Sequence, residues 1–142
     1  MFRKENNMFG FNTGKCKRTL QRAMSDCFDP LKDELGNVPL TLHDNKYVTA
    51  SILGACEAYA NKLNINDKYK IALITDSVFE EVFRKDATTV LKQVDLWLNN
   101  NDSEFISAYE AAKSNTSHQQ LDLGWLKEYS VKNFEPSRNL ML

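Results

Sequence analysis

The adjacent pair His43-Asp44 has the side chains needed for proton transfer, because a carboxylate can orient an imidazole that accepts or donates a proton. The pair also stands directly before a predicted helix, where both residue types serve in turns and caps. The sequence favours this turn and cap role. An enzyme built on His43 is therefore the less favoured hypothesis, and its test is the activity of a His43→Ala variant.

Metal-ligating residues are few and scattered. His118 lies in the polar segment 114–119, which contains no other metal-ligating side chain. Cys16, Cys27 and Cys56 are odd in number and form no C-x-x-C motif. In one helix Cys16 and Cys27 would lie about 16 Å apart, too far for a disulfide, and Cys56 falls on an apolar stripe. We expect three reduced thiols and no metal or cofactor.

The carboxylates and aromatic side chains give no catalytic pattern. Glu80 and Arg84 have the spacing of a surface ion pair. Trp97, Trp125 and Tyr129 could stack a ligand, but their helical spacing on apolar faces favours the core. We therefore predict no catalytic residues. The carboxylates, which are predicted to lie on separate helical faces, are Asp76, Glu80, Glu81, Asp86, Asp95 and Glu104.

The elements that would position these residues are helices. The chain has 142 residues, of which 42% are hydrophobic, with 5 Gly and 3 Pro, which is typical of one soluble domain with a single core. Apolar residues recur every three or four positions, so the sequence predicts an all-α compact bundle of five to six short helices. The predicted apolar stripes run from Lys15 to Phe28, Val48 to Leu63, Ile71 to Val82, Val90 to Leu98, Phe105 to Ala112 and Leu121 to Tyr129.

Local signals mark where these helices begin and end. Asp29-Pro30 should end the first helix, and we predict a linker over 30–45, with Val38 to Leu42 extended or in a short turn. The tail 136–142 is predicted to be loose, although its apolar end could dock in a groove. The predicted capping residues are Asp44 or Asn45, then Asp67, and then Asp102 or Ser103.

One segment, residues 70–75, fits two structures. Ile71 and Ile74 continue the stripe of a helix that Asp67 could cap. The same segment also reads as a buried strand that enters a capping box formed by Ser77 and Glu80. A lone strand needs a partner, and only Val38 to Leu42 could supply one. We favour the helix and keep the strand as the alternative.

A short sequence pattern occurs twice in the chain. Ala58-Tyr59 precedes a polar hinge at 64–67, and Ala108-Tyr109 precedes a second polar hinge at 114–119. This spacing raises the hypothesis of two pseudo-repeated helix-hinge-helix units. A chance match is the alternative, since alanine, lysine and asparagine are common at helix ends and the alignment needs a one-residue slip.

This layout, over residues 47–129, resembles the TerB-like family of small all-helical proteins associated with tellurite resistance and with phage or stress responses. The resemblance implies repeated helix-loop-helix units whose hinges carry an Asp-Gly. Here Asn64 and Asn115 stand where the family has an acid, and neither is followed by Gly. Asp67 is the carboxylate that remains, so the metal binding suggested for the family does not transfer to this chain.

The first 25 residues carry six Lys/Arg against one Glu, a balance of +5, so that the other residues sum to −6. We predict a basic, partly flexible N-terminal segment over 1–14, in which phenylalanine and methionine interleave with Arg3 and Lys4. A basic helix face follows it. Such a face can bind nucleic acid, an anionic membrane surface or an acidic protein, including a second copy. The candidate partner-binding residues are Lys15, Lys17, Arg18 and Arg22.

These observations lead to two functional hypotheses. The first is a non-enzymatic protein-interaction module associated with a stress or phage response, since the chain predicts a complete set of helices without a catalytic pattern. We expect it in the cytoplasm, because the sequence shows neither a long apolar span nor an apolar leader of signal-peptide length. The second is a small nucleic-acid-associated regulator that uses its basic segment, although the net charge of −1 argues against it. We predict no membrane insertion.

Overall fold

The protein is all-α, as predicted. The computed structural model describes the backbone of residues 2–116 and 120–138 and the side chains of residues 12–116 and 120–138. Short 3-10 turns at Asp29–Leu31 and Arg84–Asp86 join some of the helices. The helices are α1 (Phe2–Phe28), α2 (Leu40–His43), α3 (Lys46–Lys62), α4 (Lys68–Phe83), α5 (Ala87–Asn99), α6 (Ser103–Asn115) and α7 (Gly124–Asn133).

The central element is α3, whose residues 48–56 are all buried. A helix that is buried all round lies in the interior of a bundle, and α3 packs against α1, α2, α4, α6 and α7. Its closest neighbour is α6. A Cβ built on Gly54 would lie 2.5 Å from the carbonyl oxygen of Tyr109, so the missing side chain is what allows these two backbones to approach.

Several helix ends form as the sequence predicts. The side chain of Asn45 accepts a hydrogen bond from the Val48 amide, and that of Asp67 accepts bonds from the first turn of α4. Asp102 accepts one from the Phe105 amide at 2.9 Å. In each case a carboxylate or amide oxygen satisfies a backbone N–H that has no partner within the helix.

Asparagine ends two helices in the left-handed conformation that glycine often supplies. Asn64 has φ 63 and Asn101 has φ 52. After each of them a backbone amide reaches back to a carbonyl of the last turn, from Ile65 to Ala60 and from Asp102 to Trp97. The first hinge, at 64–67, and the connection between α5 and α6 therefore turn without a glycine.

The structure tests three local predictions. The first helix begins at Phe2, not at Lys15, so residues 2–14 continue it. The chain is extended at Pro39, but a one-turn helix begins at Leu40. The favoured helix over residues 70–75 is confirmed and the strand alternative is wrong: these residues lie inside α4, and the Ser77 hydroxyl donates to the Leu73 carbonyl instead of forming a capping box.

The two predicted repeat units differ in their hinges. In the first unit α4 begins directly after Asp67. In the second unit α7 begins only at Gly124, several residues after the position that the repeat assigns to its start. His118, which marks that position, lies outside the described residues. The likeness between the units is therefore confined to α3 and α6, which pack against each other.

The two ends of the chain were both predicted to be loose. The backbone amide of Ser137 donates a hydrogen bond to the Leu31 carbonyl at 2.9 Å, so the tail is attached to the body at this point. Residues 139–142, including the apolar end predicted to dock, lie outside the described residues. Flexibility of the 1–14 segment stays a prediction. Among the described residues, no helix combines the length and apolar character needed to span a bilayer.

The three cysteines are free and buried, in agreement with their predicted role in the core. Burial raises the pKa of Cys16 to about 11 and that of Cys27 to about 12, and it also raises the pKa of Cys56. Since the thiolate is the reactive form, a thiol reagent at pH 8 should modify the folded protein at least about 100-fold more slowly than the unfolded one.

Absorbance after addition of Ellman's reagent measures this rate. The matched control is the same protein in denaturant, which should release signal for all 3 cysteines at once. Rapid labelling of any cysteine in the folded protein would contradict the burial of that thiol.

Candidate interaction surfaces

A row of cations lies on the outer side of α1. With 3.6 residues per turn, Lys15, Arg18 and Arg22 fall within about 60° of one another around the helix axis. They lie opposite the buried face of α1, which is formed by residues such as Leu20 and Met24. We call Lys15, Arg18 and Arg22 the basic stripe.

The fourth predicted residue is separate from this stripe. Lys17 falls about 130° around the helix axis from the mean direction of the stripe and is half-buried at the edge of the packed face. The sequence analysis grouped the four cations by composition. The structure unites three of them and separates Lys17.

The stripe is not neutralised by the body of the protein. Lys15, Arg18 and Arg22 are exposed, and none of them forms an ion pair with another residue whose side chain the structure describes. The guanidinium of Arg18 lies along its own helix beside Gly14. These charges therefore face solvent and are available to an anionic partner.

An apolar cavity of about 330 Å³ lies between α3, α4 and α5. Three carboxylates border it, those of Glu57, Asp76 and Asp95, against one lysine, Lys68. We call this cavity with its border the acidic groove; sequence reasoning did not find it. Its apolar lining residues are Leu53, Ile71, Ala72, Leu91, Val94 and Leu98.

Two of these carboxylates lack a countercharge. Asp76 and Asp95 form no ion pair or hydrogen bond with other residues of the described part. Partial burial, followed by the negative charges of Glu80 and Asp95, raises the pKa of the Asp76 carboxyl. Crowded carboxylates on an apolar cavity are stabilised when a cation approaches, so the groove favours a basic partner.

The third carboxylate is held inside the protein. Glu57 accepts a hydrogen bond from the Tyr109 hydroxyl, which links α3 to α6. Burial and the neighbouring Glu57 raise the pKa of Tyr109 well above its usual range, so this hydroxyl keeps its proton. The pair is distant in sequence, and no local pattern predicts it.

The wall of the groove also contains a buried hydroxyl. Thr75 is only 5% exposed, and its Oγ1 has no hydrogen-bond partner among the described residues. A buried hydroxyl without a partner destabilises the folded state. We expect Thr75→Val, which keeps the shape and removes the hydroxyl, to raise the free energy of unfolding by about 1 kcal/mol.

The matched control for this substitution is Thr49→Val. Thr49 is also buried, but its hydroxyl donates to the Asn45 carbonyl at 2.8 Å. Its loss should lower the free energy of unfolding by about 1 kcal/mol. Urea titration followed by circular dichroism measures both values. Equal losses of the free energy of unfolding in the two variants would show that the Thr75 hydroxyl has a hydrogen-bond partner.

His43 ends the one-turn helix α2, as its predicted turn role requires. Its Nδ1 lies 3.9 Å from Oδ2 of Asp86, beyond hydrogen-bonding distance, and its ring packs edge-on against Phe83. Burial lowers the pKa of His43 in spite of the attraction of Asp86 and then Asp44. The histidine is therefore held neutral near pH 7, against an aromatic ring.

The other residues singled out from the sequence have structural positions. Trp97, Trp125 and Tyr129 pack against the core, as predicted. The predicted pair of Glu80 with Arg84 does not form; the Arg84 guanidinium lies over Gly36 instead. Among the described residues, no cluster of three His, Cys, Asp or Glu side chains could hold a metal ion.

Comparisons with models of protein families, with curated proteins and with solved structures find no match to this chain. The proposed function therefore rests on the chemistry of the basic stripe and the acidic groove.

Proposed function

We propose that the protein is a non-enzymatic, cytoplasmic protein-interaction module of the TerB-like type that works in a stress or phage response by contact with another protein. The acidic groove is the observation that supports this proposal. Its floor is apolar, as in grooves that receive an amphipathic helix, and its border is acidic. A helix that combines apolar and basic residues fits both properties.

A further property of α4 supports a binding role. Tyr69 is 74% exposed and Leu73 is 49% exposed. They are one turn apart, and Asp76 continues the same outer face of α4 into the border of the groove. Exposed apolar side chains next to an apolar groove enlarge the area that a partner can cover.

Capture from a cell extract tests the proposal. Immobilised wild-type protein should retain a partner that an Asp76→Asn/Asp95→Asn double variant loses. The matched control is Glu81→Gln, which removes a charge from another side of the same helix α4. Identical sets of proteins on all three supports would refute the groove as a binding site.

The second candidate function is a nucleic-acid-associated regulator. The basic stripe favours it, because Lys15 and Arg22 span about 10 Å along one outer face and could contact successive phosphates. A DNA mobility-shift assay at low salt tests this function, with Lys15→Gln/Arg18→Gln/Arg22→Gln as the variant. The absence of a shift with the wild-type protein would end this hypothesis.

A further inference from the structure

We propose that the basic stripe of one copy binds the acidic groove of a second copy, so that the protein assembles head to tail. This inference rests on the proposed function, since it names the partner of the same groove. The stripe offers three cations without ion pairs among the described residues, and the groove offers Asp76 and Asp95 without countercharge. The stripe supplies positive charges for the groove, and the groove supplies negative charges for the stripe.

The stripe cannot fill the groove of its own molecule. α1 packs against α4, and its Gln21 side chain, which lies about 90° around the helix axis from the stripe, donates to the Ser77 carbonyl. The groove is lined by α3, α4 and α5, and no described residue of α1 lines it. The two surfaces therefore face different directions, and their contact must join two molecules.

The apolar part of the contact has a source in the sequence. Lys4, Met8 and Phe11 precede Lys15 at intervals of four, three and four residues, which is the spacing of one helical face. The sequence directly before the stripe thus combines basic and apolar residues. The tail 136–142 ends in three apolar residues but has a single basic residue, Arg138, so it offers less of the charge that the groove selects than the stripe does.

This geometry determines the form of the assembly. A contact between two different surfaces is heterologous, so a bound pair still presents one free groove, on the copy that used its stripe, and one free stripe, on the other copy. Unless a ring closes, the assembly grows with concentration instead of stopping at a dimer. Because the contact is electrostatic at its edge, it should weaken as salt screens the charges.

Two variants separate the surfaces. Lys15→Gln/Arg18→Gln/Arg22→Gln keeps the groove and removes the stripe, whereas Asp76→Asn/Asp95→Asn keeps the stripe and removes the acidic border. Each variant alone should self-associate at least about tenfold more weakly than the wild type. Mixed together, they should form a one-to-one complex that does not grow further, because only one complementary contact remains.

Sedimentation velocity over a concentration series, at about 0.05 M and about 0.5 M sodium chloride, measures these outcomes. Lys17→Gln and Glu81→Gln are the matched controls and should assemble like the wild type, since Lys17 lies off the stripe and Glu81 off the groove. Circular dichroism confirms that every variant is folded.

Three results would overturn the inference: a wild-type protein that stays monomeric at low salt, variants that assemble like the wild type, or a mixture that forms no complex. Its failure is distinguishable from failure of the proposed function. A monomeric wild-type protein whose groove still captures another protein would remove the second copy as partner and leave the interaction module standing.

Discussion

Replacing Phe79 by alanine should lower the free energy of unfolding by about 3 to 5 kcal/mol. Phe79 is fully buried in the core cluster, and its ring stacks with that of Phe83 at 5.8 Å between centroids. Removal of the ring loses its transfer free energy and leaves a cavity that the surrounding helices fill only in part. Equilibrium urea unfolding measures the change.

The control on the same helix is Tyr69→Ala. Tyr69 is 74% exposed, so the loss of its ring should change the free energy of unfolding by less than about 0.5 kcal/mol. A loss below about 1 kcal/mol for Phe79→Ala would mean that the core repacks around the deletion or that α4 is less buried than the structure shows.

The second large effect is at Gly54, where alanine should lower the free energy of unfolding by about 1 to 3 kcal/mol. The new methyl group would meet the Tyr109 carbonyl oxygen at 2.5 Å and the Ala112 Cβ at 3.0 Å. Both are fixed parts of α6, so the helices must separate. Alanine is the better helix former by about 1 kcal/mol, and the clash outweighs this gain.

Gly14→Ala is the matched control for this substitution. Gly14 also lies inside a helix, but a Cβ there meets the end of the Arg18 side chain at 3.2 Å, and this flexible group can move aside. Stability should stay equal or rise by up to about 1 kcal/mol. Equal losses in both variants would refute the close approach of α3 and α6. Thermal and urea unfolding of the two proteins decide between these outcomes.

The parts of the fold that could be predicted from the sequence depend on local chemistry. Asn45, Asp67 and Asp102 cap helices because a short polar side chain satisfies an amide two or three residues ahead. The buried stripe of α3 was predicted in the same way, from the periodicity of residues such as Ile52 and Cys56.

The parts that could not be predicted depend on which helices meet. The predicted inner face of α4 included Ile74 and Val78 but missed Phe79 and Phe83, because α1, α3 and α5 bury a wider arc of α4 than one stripe. Long-range links such as that of Lys46 with Asp102, at 2.8 Å, have no local signal.

The two candidate surfaces also differ in how far the sequence predicts them. The cations of the basic stripe were identified from composition, and helix geometry alone separates Lys17 from them. The acidic groove brings together residues from three helices, and its existence depends on how α3, α4 and α5 pack. Among its residues, Asp76 and Asp95 were noted in the sequence only as carboxylates on separate faces.

The close pairing of α3 with α6 also predicts an order of folding. Glu57 and Tyr109, which join these helices, are 52 residues apart, and α4 and α5 lie between them in the chain. Closing so long a loop costs chain entropy before the contact between α3 and α6 can stabilise the chain. Helices that are neighbours in the sequence should therefore pair first, and α6 should dock late. A substitution at a residue such as Gly54 should then change the unfolding rate and have little effect on the folding rate.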